Sequence, residues 1–125
     1  MLTAMSGDDC DINLSVDQIR WSQDSIAGTF RDGSDLRALI NSLRGLPHER
    51  RVELVATYPR IRVVQFESQG WITLDNRRLY LFREILDPGT QIGVRVATYQ
   101  EAQELRRKLT TDNEGATIAV RANRR

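Results

Sequence analysis

Between Arg60 and Gly89 the chain reads RIRVVQFESQGWITLDNRRLYLFREILDPG, and the spacing of its apolar residues changes half-way along. RIRVVQF is rich in β-branched residues and predicts a strand. ESQG is a turn signal, and WITL predicts the return strand of a hairpin. From Asp75 onward the period lengthens. Leu79, Phe82, Ile85 and Leu86 then fall on one side of a helix, which DPG closes. A hairpin that runs directly into an amphipathic helix restricts the chain to folds in which helices cover a sheet.

The same segment breaks a local rule. Asp75 or Asn76 is the natural N-cap, because a short side-chain oxygen can accept an unpaired backbone N–H. The first turn then carries Arg77 and Arg78, two cations where the helix dipole is already positive. Either these side chains reach acidic partners such as Asp75 or Glu67, or they await an anion. Bare amides at a helix start form an anion site, and two guanidiniums beside them strengthen it.

The remaining segments read as alternating elements. DINLSVDQIRWSQ predicts one strand, or a strand and a short second one, and DSIAGTFRDG predicts a loop. SDLRALINSLRGL predicts a helix, with Ser34 as N-cap, a stripe of Leu36, Leu39, Ile40 and Leu43, and Gly45 as the stop. PHERRVELVATYP predicts a short helix around residues 49–55, ending before Pro59. TQIGVRVAT is a strand, YQEAQELRRKL a helix, and TTDNEGATIAVRA a turn and a last strand. The expected fold is α+β, a compact mixed sheet of about five strands with three to four helices. With 125 residues there is room for one core, expected over residues 12–121, between a flexible lead-in (1–11) and a basic tail (122–125).

Composition excludes several classes. A net charge of +1 rules out a polycation, although seventeen of the eighteen basic residues are Arg and only Lys108 is Lys. That bias fits genomic base composition, and it equally supplies planar forks suited to phosphate or carboxylate. No apolar run approaches the roughly 20 residues of a membrane span, and a cytoplasmic or otherwise intracellular setting is expected. Cys10 and His48 each stand alone, which excludes an internal disulfide, a multi-Cys zinc site and a His-based triad.

A strand before the LRALINSL helix, then IRVVQF and a short hairpin, then Leu74-Asp75-Asn76-Arg77-Arg78 opening an apolar helix: this layout resembles the ParB/sulfiredoxin-like domain across roughly residues 14–97. The opening and ending resemble a divergent branch of small standalone or toxin-associated domains. The resemblance implies phosphate or nucleotide binding at the Asn76-Arg77-Arg78 corner. Two departures bear on activity. Asn76 stands where sulfiredoxins carry their cysteine, so reduction of a sulfinic acid is not expected. Asp75-Asn76 replaces the Gly-Glu of ParB proteins, which removes a glutamate that nucleotide hydrolysis would use.

Other residues are candidates for the same site. Ser22, Gln23, Asp24 and Ser25, at the end of the first strand region, would bond a base, a ribose or a metal-bound water, or would satisfy their own turn. Asp24 is the first candidate for a general base or metal ligand and Asp75 the second; two carboxylates with phosphate oxygens could hold Mg2+. Thr111 and Asn113 would line the pocket or form a simple turn. Tyr80 and Arg83, at i+4 and i+7 from Asn76, would share its helical face. Trp21 and Trp71 would stack on a base or belong to the core. The leading expectation is therefore a phosphate-binding domain engaging a nucleotide or a nucleic-acid backbone without sequence preference. Its fullest form is an enzyme cleaving a phosphodiester or phosphoanhydride. The competing expectation is a non-catalytic nucleotide-sensing or protein-interaction module.

Overall fold

The computed structural model describes residues 11–65, 70–105, 109 and 118–121. In chain order the elements are β1 (Asp11–Ser15), a 3-10 turn (Val16–Gln18), β2 (Ile19–Arg20), β3 (Ser25–Ile26), α1 (Leu36–Arg44), α2 (His48–Val55), β4 (Arg62–Gln65), β5 (Trp71–Thr73), α3 (Asn76–Ile85), β6 (Gln91–Val96), α4 (Tyr99–Ala102) and β7 (Ala119–Val120). Five strands form a mixed sheet in the order β1-β6-β4-β5-β2, and β3 pairs with β7 in a separate two-stranded sheet. The fold is α+β, with a five-stranded sheet as the spacing of apolar residues predicts.

The hairpin sits at the centre. β4 and β5 are antiparallel with Val64 opposite Ile72, and β6 lies parallel to β4 with Arg95 opposite Arg62. Successive side chains of a strand point to opposite faces. Val63 accordingly joins the main core, with Ile92 and Val94 of β6, Leu36 and Ile40 of α1, Val55 of α2, and Leu79, Phe82 and Ile85 of α3. Val64 packs on the other face against Ile72, Leu74 and Leu105. Three helices thus cover one side of the sheet and a small apolar cluster covers part of the other. Leu81 is as fully buried as Leu79 because α3 meets α1, α2 and the 3-10 turn, so its apolar stripe is wider than one neighbour requires.

Two expectations are corrected. Ser34 does not cap α1. Its hydroxyl donates to Asp32 Oδ1 at 2.6 Å, closing the turn in which Gly33 takes φ +89°, and Asp35 occupies the cap position. The segment expected as a loop before it contains β3, whose parallel partner lies at the far end of the chain. Such pairing leaves no local pattern in the sequence. Thr111 and Asn113 lie outside the described residues, as do Cys10, Glu67 and residues 106–108 and 122–125. No helix among the described residues is long and apolar enough to cross a membrane.

Leu79 is fully buried between α3 and its neighbours. Leu79→Ala is expected to cost about 2–5 kcal/mol of unfolding free energy, measured by urea denaturation.

Candidate functional site

The junction between β5 and α3 is built around Asp75. It precedes the helix, yet its carboxylate caps none of the helical amides. It turns to β4 instead. Oδ2 accepts from the Arg62 backbone N–H at 2.7 Å and from Nε at 3.1 Å, and Oδ1 accepts from Nη2 at 2.8 Å. Thr73 Oγ1 braces the turn, accepting from the Asp75 amide and donating to the Arg62 carbonyl. Burial alone would raise the Asp75 carboxyl. The hydrogen bonds from Arg62, and the charges of Arg78 and Arg62, outweigh it and hold the group below its usual range.

Arg62 also reaches the outer face of the sheet. It lies opposite Arg95 across β4 and β6, and like charges so placed repel. Acidic residues at and just beyond α4 offset this. Glu101 accepts two parallel bonds from Arg95 at 2.8 Å and lies 3.7 Å from Arg62, while Glu104 accepts from Arg62 at 2.8 Å. A capping box places Glu101, since Thr98 and Glu101 each bond the other's backbone N–H. The Arg95 fork, the Thr98 amide and the charge of Arg62 lower the Glu101 carboxyl to about 2.

Arg77 and Arg78 resolve their conflict with the helix dipole differently. Arg77 Nη1 donates to the Thr29 carbonyl at 2.5 Å, in the segment between β3 and α1. Arg78 Nη1 donates to the Pro59 carbonyl at 2.6 Å, and its Nη2 lies 3.1 Å from Asp75 Oδ1. The two guanidiniums are held by different loops and do not form one fork. Arg78 is partly neutralised. Arg77 is fixed by a neutral oxygen, so its charge is retained.

Asn76, only 4% exposed, is fully engaged inside the protein. Its Oδ1 accepts from the Ser22 N–H at 2.9 Å, and its Nδ2 donates to Ser22 Oγ at 2.8 Å and to Gln23 Oε1 at 3.4 Å. Tyr80 and Arg83 do share the face of Asn76, and that face grips the segment after β2. The Tyr80 ring lies 6.1 Å from Trp21, the Arg83 guanidinium lies 5.2 Å from the same ring, and Arg83 bonds the Ile19 carbonyl. Trp21 is a core residue. The i, i+4, i+7 stripe therefore holds β2 and its exit against α3.

In front of this junction lies an open recess of about 600 Å3. Among the described residues Arg31, Arg62, Arg77, Arg78 and Arg121 line it, against one carboxylate, Asp75. Phe30 and Tyr58 give it apolar wall, and Gln23 and Asn76 stand at its edge. Arg121 follows β7 and donates to Ser25 Oγ at 2.9 Å, and Arg31 is exposed. The pairing of β3 with β7 is what carries Arg121 to this place.

The structure thus gathers Gln23, Asp75, Asn76, Arg77 and Arg78 at one recess, with Ser22 and Ser25 bonded to its lining residues. Asp24 and Arg83 are not among the lining residues. Asp24 is exposed, and its carbonyl accepts from the Ala119 N–H. Mg2+ does not fit Asp75, because both its oxygens already accept from arginines. Among the described residues no group of three or more His, Cys, Asp or Glu side chains is placed to hold a metal ion. Arg31, Arg62 and Arg121 belong to the recess and were not foreseen. Arg62 alone had a signal, a charge set in a β-branched strand, while the others depend on non-local pairing.

Comparison with protein-family models, with curated proteins and with solved structures returns no match to the chain.

Two outcomes test the site's construction. Asn76→Asp replaces a buried donor with an acceptor and a charge, and should destabilise the fold by about 1–3 kcal/mol in denaturant titration. The depressed carboxyls of Glu101 and Asp75 add stability that is complete above their ordinary values and lost as pH falls through the folded ones. For Glu101 that window runs from 4.5 down to about 2. Glu101→Gln should flatten the stability profile across it, measured by urea unfolding at successive pH values.

Proposed function

We propose that this chain binds the phosphate groups of a nucleotide or of a nucleic-acid backbone in the arginine-lined recess, and that it is a divergent ParB/sulfiredoxin-like domain. One observation carries the binding reading: Arg31, Arg77 and Arg121 line the recess, and among the described residues the bonds of Arg77 and Arg121 go to neutral oxygens rather than to carboxylates. A guanidinium has five N–H donors. Arg77 uses one on Thr29, which fixes its position and leaves others for an anion. The 10-residue helix α3 adds first-turn amides that the Asp75 side chain leaves uncapped. The resemblance is supported by the order of pieces, a hairpin β4–β5 leading into a helix that opens with Asn76-Arg77-Arg78.

Binding is favoured over bond cleavage. A general base works best with a pKa near the working pH, and Asp75 is held in the opposite direction by Arg62. Asp24 is placed beside β7 rather than in the recess lining. The site is pre-arranged for charge recognition by rigid cations.

Melting the chain with ATP, CTP, GTP or pyrophosphate tests this directly. A ligand at 100 times its dissociation constant adds about 2.7 kcal/mol, a clear rise in Tm. Arg77→Ala should weaken that ligand roughly tenfold, the loss of one charge-assisted contact. An unchanged affinity in Arg77→Ala would reject the recess as the site.

A further inference from the structure

The arginine recess does not end at Arg62 and Arg78. A second recess of about 480 Å3 shares both residues as wall and adds Arg60 and Arg95, with Asp11 and Glu101. Among the described residues seven arginines and three carboxylates line the two together. Two of those carboxylates are already engaged, Asp75 by Arg62 and Glu101 by Arg95. The third, Asp11, comes no closer to Arg60 than 3.9 Å, and the Arg60 side chain is 51% exposed. So loose and wet a pair offsets little of the Arg60 charge. The Arg60 guanidinium lies over Gly93 of β6, in the space a side chain there would fill.

Cations without a close carboxylate among the described residues therefore stand in both recesses. Arg31, Arg77 and Arg121 are in one and Arg60 is in the other; Arg78, partly neutralised by Asp75, stands on the shared wall. A free nucleotide carries its phosphates together at one end. A polymer carries one phosphate per residue and can engage both. Phe30 and Tyr58 pack against the core on one side and line the first recess on the other, where unpaired bases would stack on them; a duplex hides those base faces. Building on the phosphate-binding reading above, we propose that the ligand is a single-stranded polynucleotide whose backbone crosses from the first recess into the second over Arg62 and Arg78. Recognition is of backbone charge and stacking, without base sequence.

The test is fluorescence anisotropy of a labelled oligothymidylate of about ten nucleotides across a range of salt, with pyrophosphate binding measured in parallel by thermal shift. About four phosphate contacts should give a slope near −3 in log K against log salt, since each contributes about −0.7 on a single strand. Arg60→Gln should weaken the oligonucleotide roughly fivefold, flatten the slope by about 0.7, and leave pyrophosphate binding and Tm unchanged. Arg60→Lys should restore the slope, and Arg77→Ala should weaken both ligands. Equal oligonucleotide affinity in Arg60→Gln and the natural chain, with pyrophosphate still bound, would overturn the two-recess path and leave the phosphate site standing. Tighter binding of the matching duplex would overturn it as well. Absence of pyrophosphate binding in the natural chain would remove the underlying site and this inference with it.

Discussion

The contact between Arg62 and Asp75 organises this molecule. One carboxylate takes the backbone amide and the guanidinium of the same strand residue, which ties the start of β4 to the end of β5 and fixes where α3 begins. A buried charge needs a partner with good geometry, and breaking such a pair leaves the other charge uncompensated. Here both members have further partners. Thr73 holds the Asp75 turn, Glu104 and Glu101 receive the rest of Arg62, and Arg95 completes the chain of charges. The bonds of this network form one connected set, from the hairpin to the acidic residues at and beyond α4.

The position of Asp75 has an electrostatic consequence at the helix start. A cap residue would ordinarily place its oxygen over the first amides and cancel part of the dipole. Asp75 faces β4 instead, so those amides remain uncapped and Arg77 keeps its charge beside them. Arg78 shares Asp75 and anchors on the Pro59 carbonyl. The charges that look misplaced on an isolated helix are held by carbonyls of two loops. These bonds fix their positions, which would lower the ordering cost of the anion binding proposed above.

Asn76 shows how one residue type can be read correctly and assigned the wrong partner. Its place at the opening of α3, in line with Tyr80 and Arg83, follows from helical spacing. All three turn toward Trp21 and Ser22: Asn76 bonds Ser22, the Tyr80 ring lies beside Trp21, and the Arg83 guanidinium lies over it. The stripe reads as a binding face in the sequence because the residues are polar and aromatic. It is a packing face because β2 runs beside β5 and delivers Trp21 and Ser22 to it. Conversely, the recess owes Arg121 to the β3–β7 pairing, which sets Ser25 and Ile26 beside Ala119 and Val120.

The sequence by itself determined the α+β class, the hairpin and its helix, the apolar stripes of α1 and α3, and the presence of unbalanced cations at the start of α3. These follow from local rules: the period of apolar residues, turn chemistry and the sign of the helix dipole. Only the tertiary structure decided that Asp75 serves Arg62, that Asn76 serves Ser22, and that arginines from β4, the β3–α1 connection and the residue after β7 line one recess. Charge and hydrogen-bond partners are chosen by proximity in space. In this sheet the partners come from residues far apart in the chain, so no window of the sequence contains them.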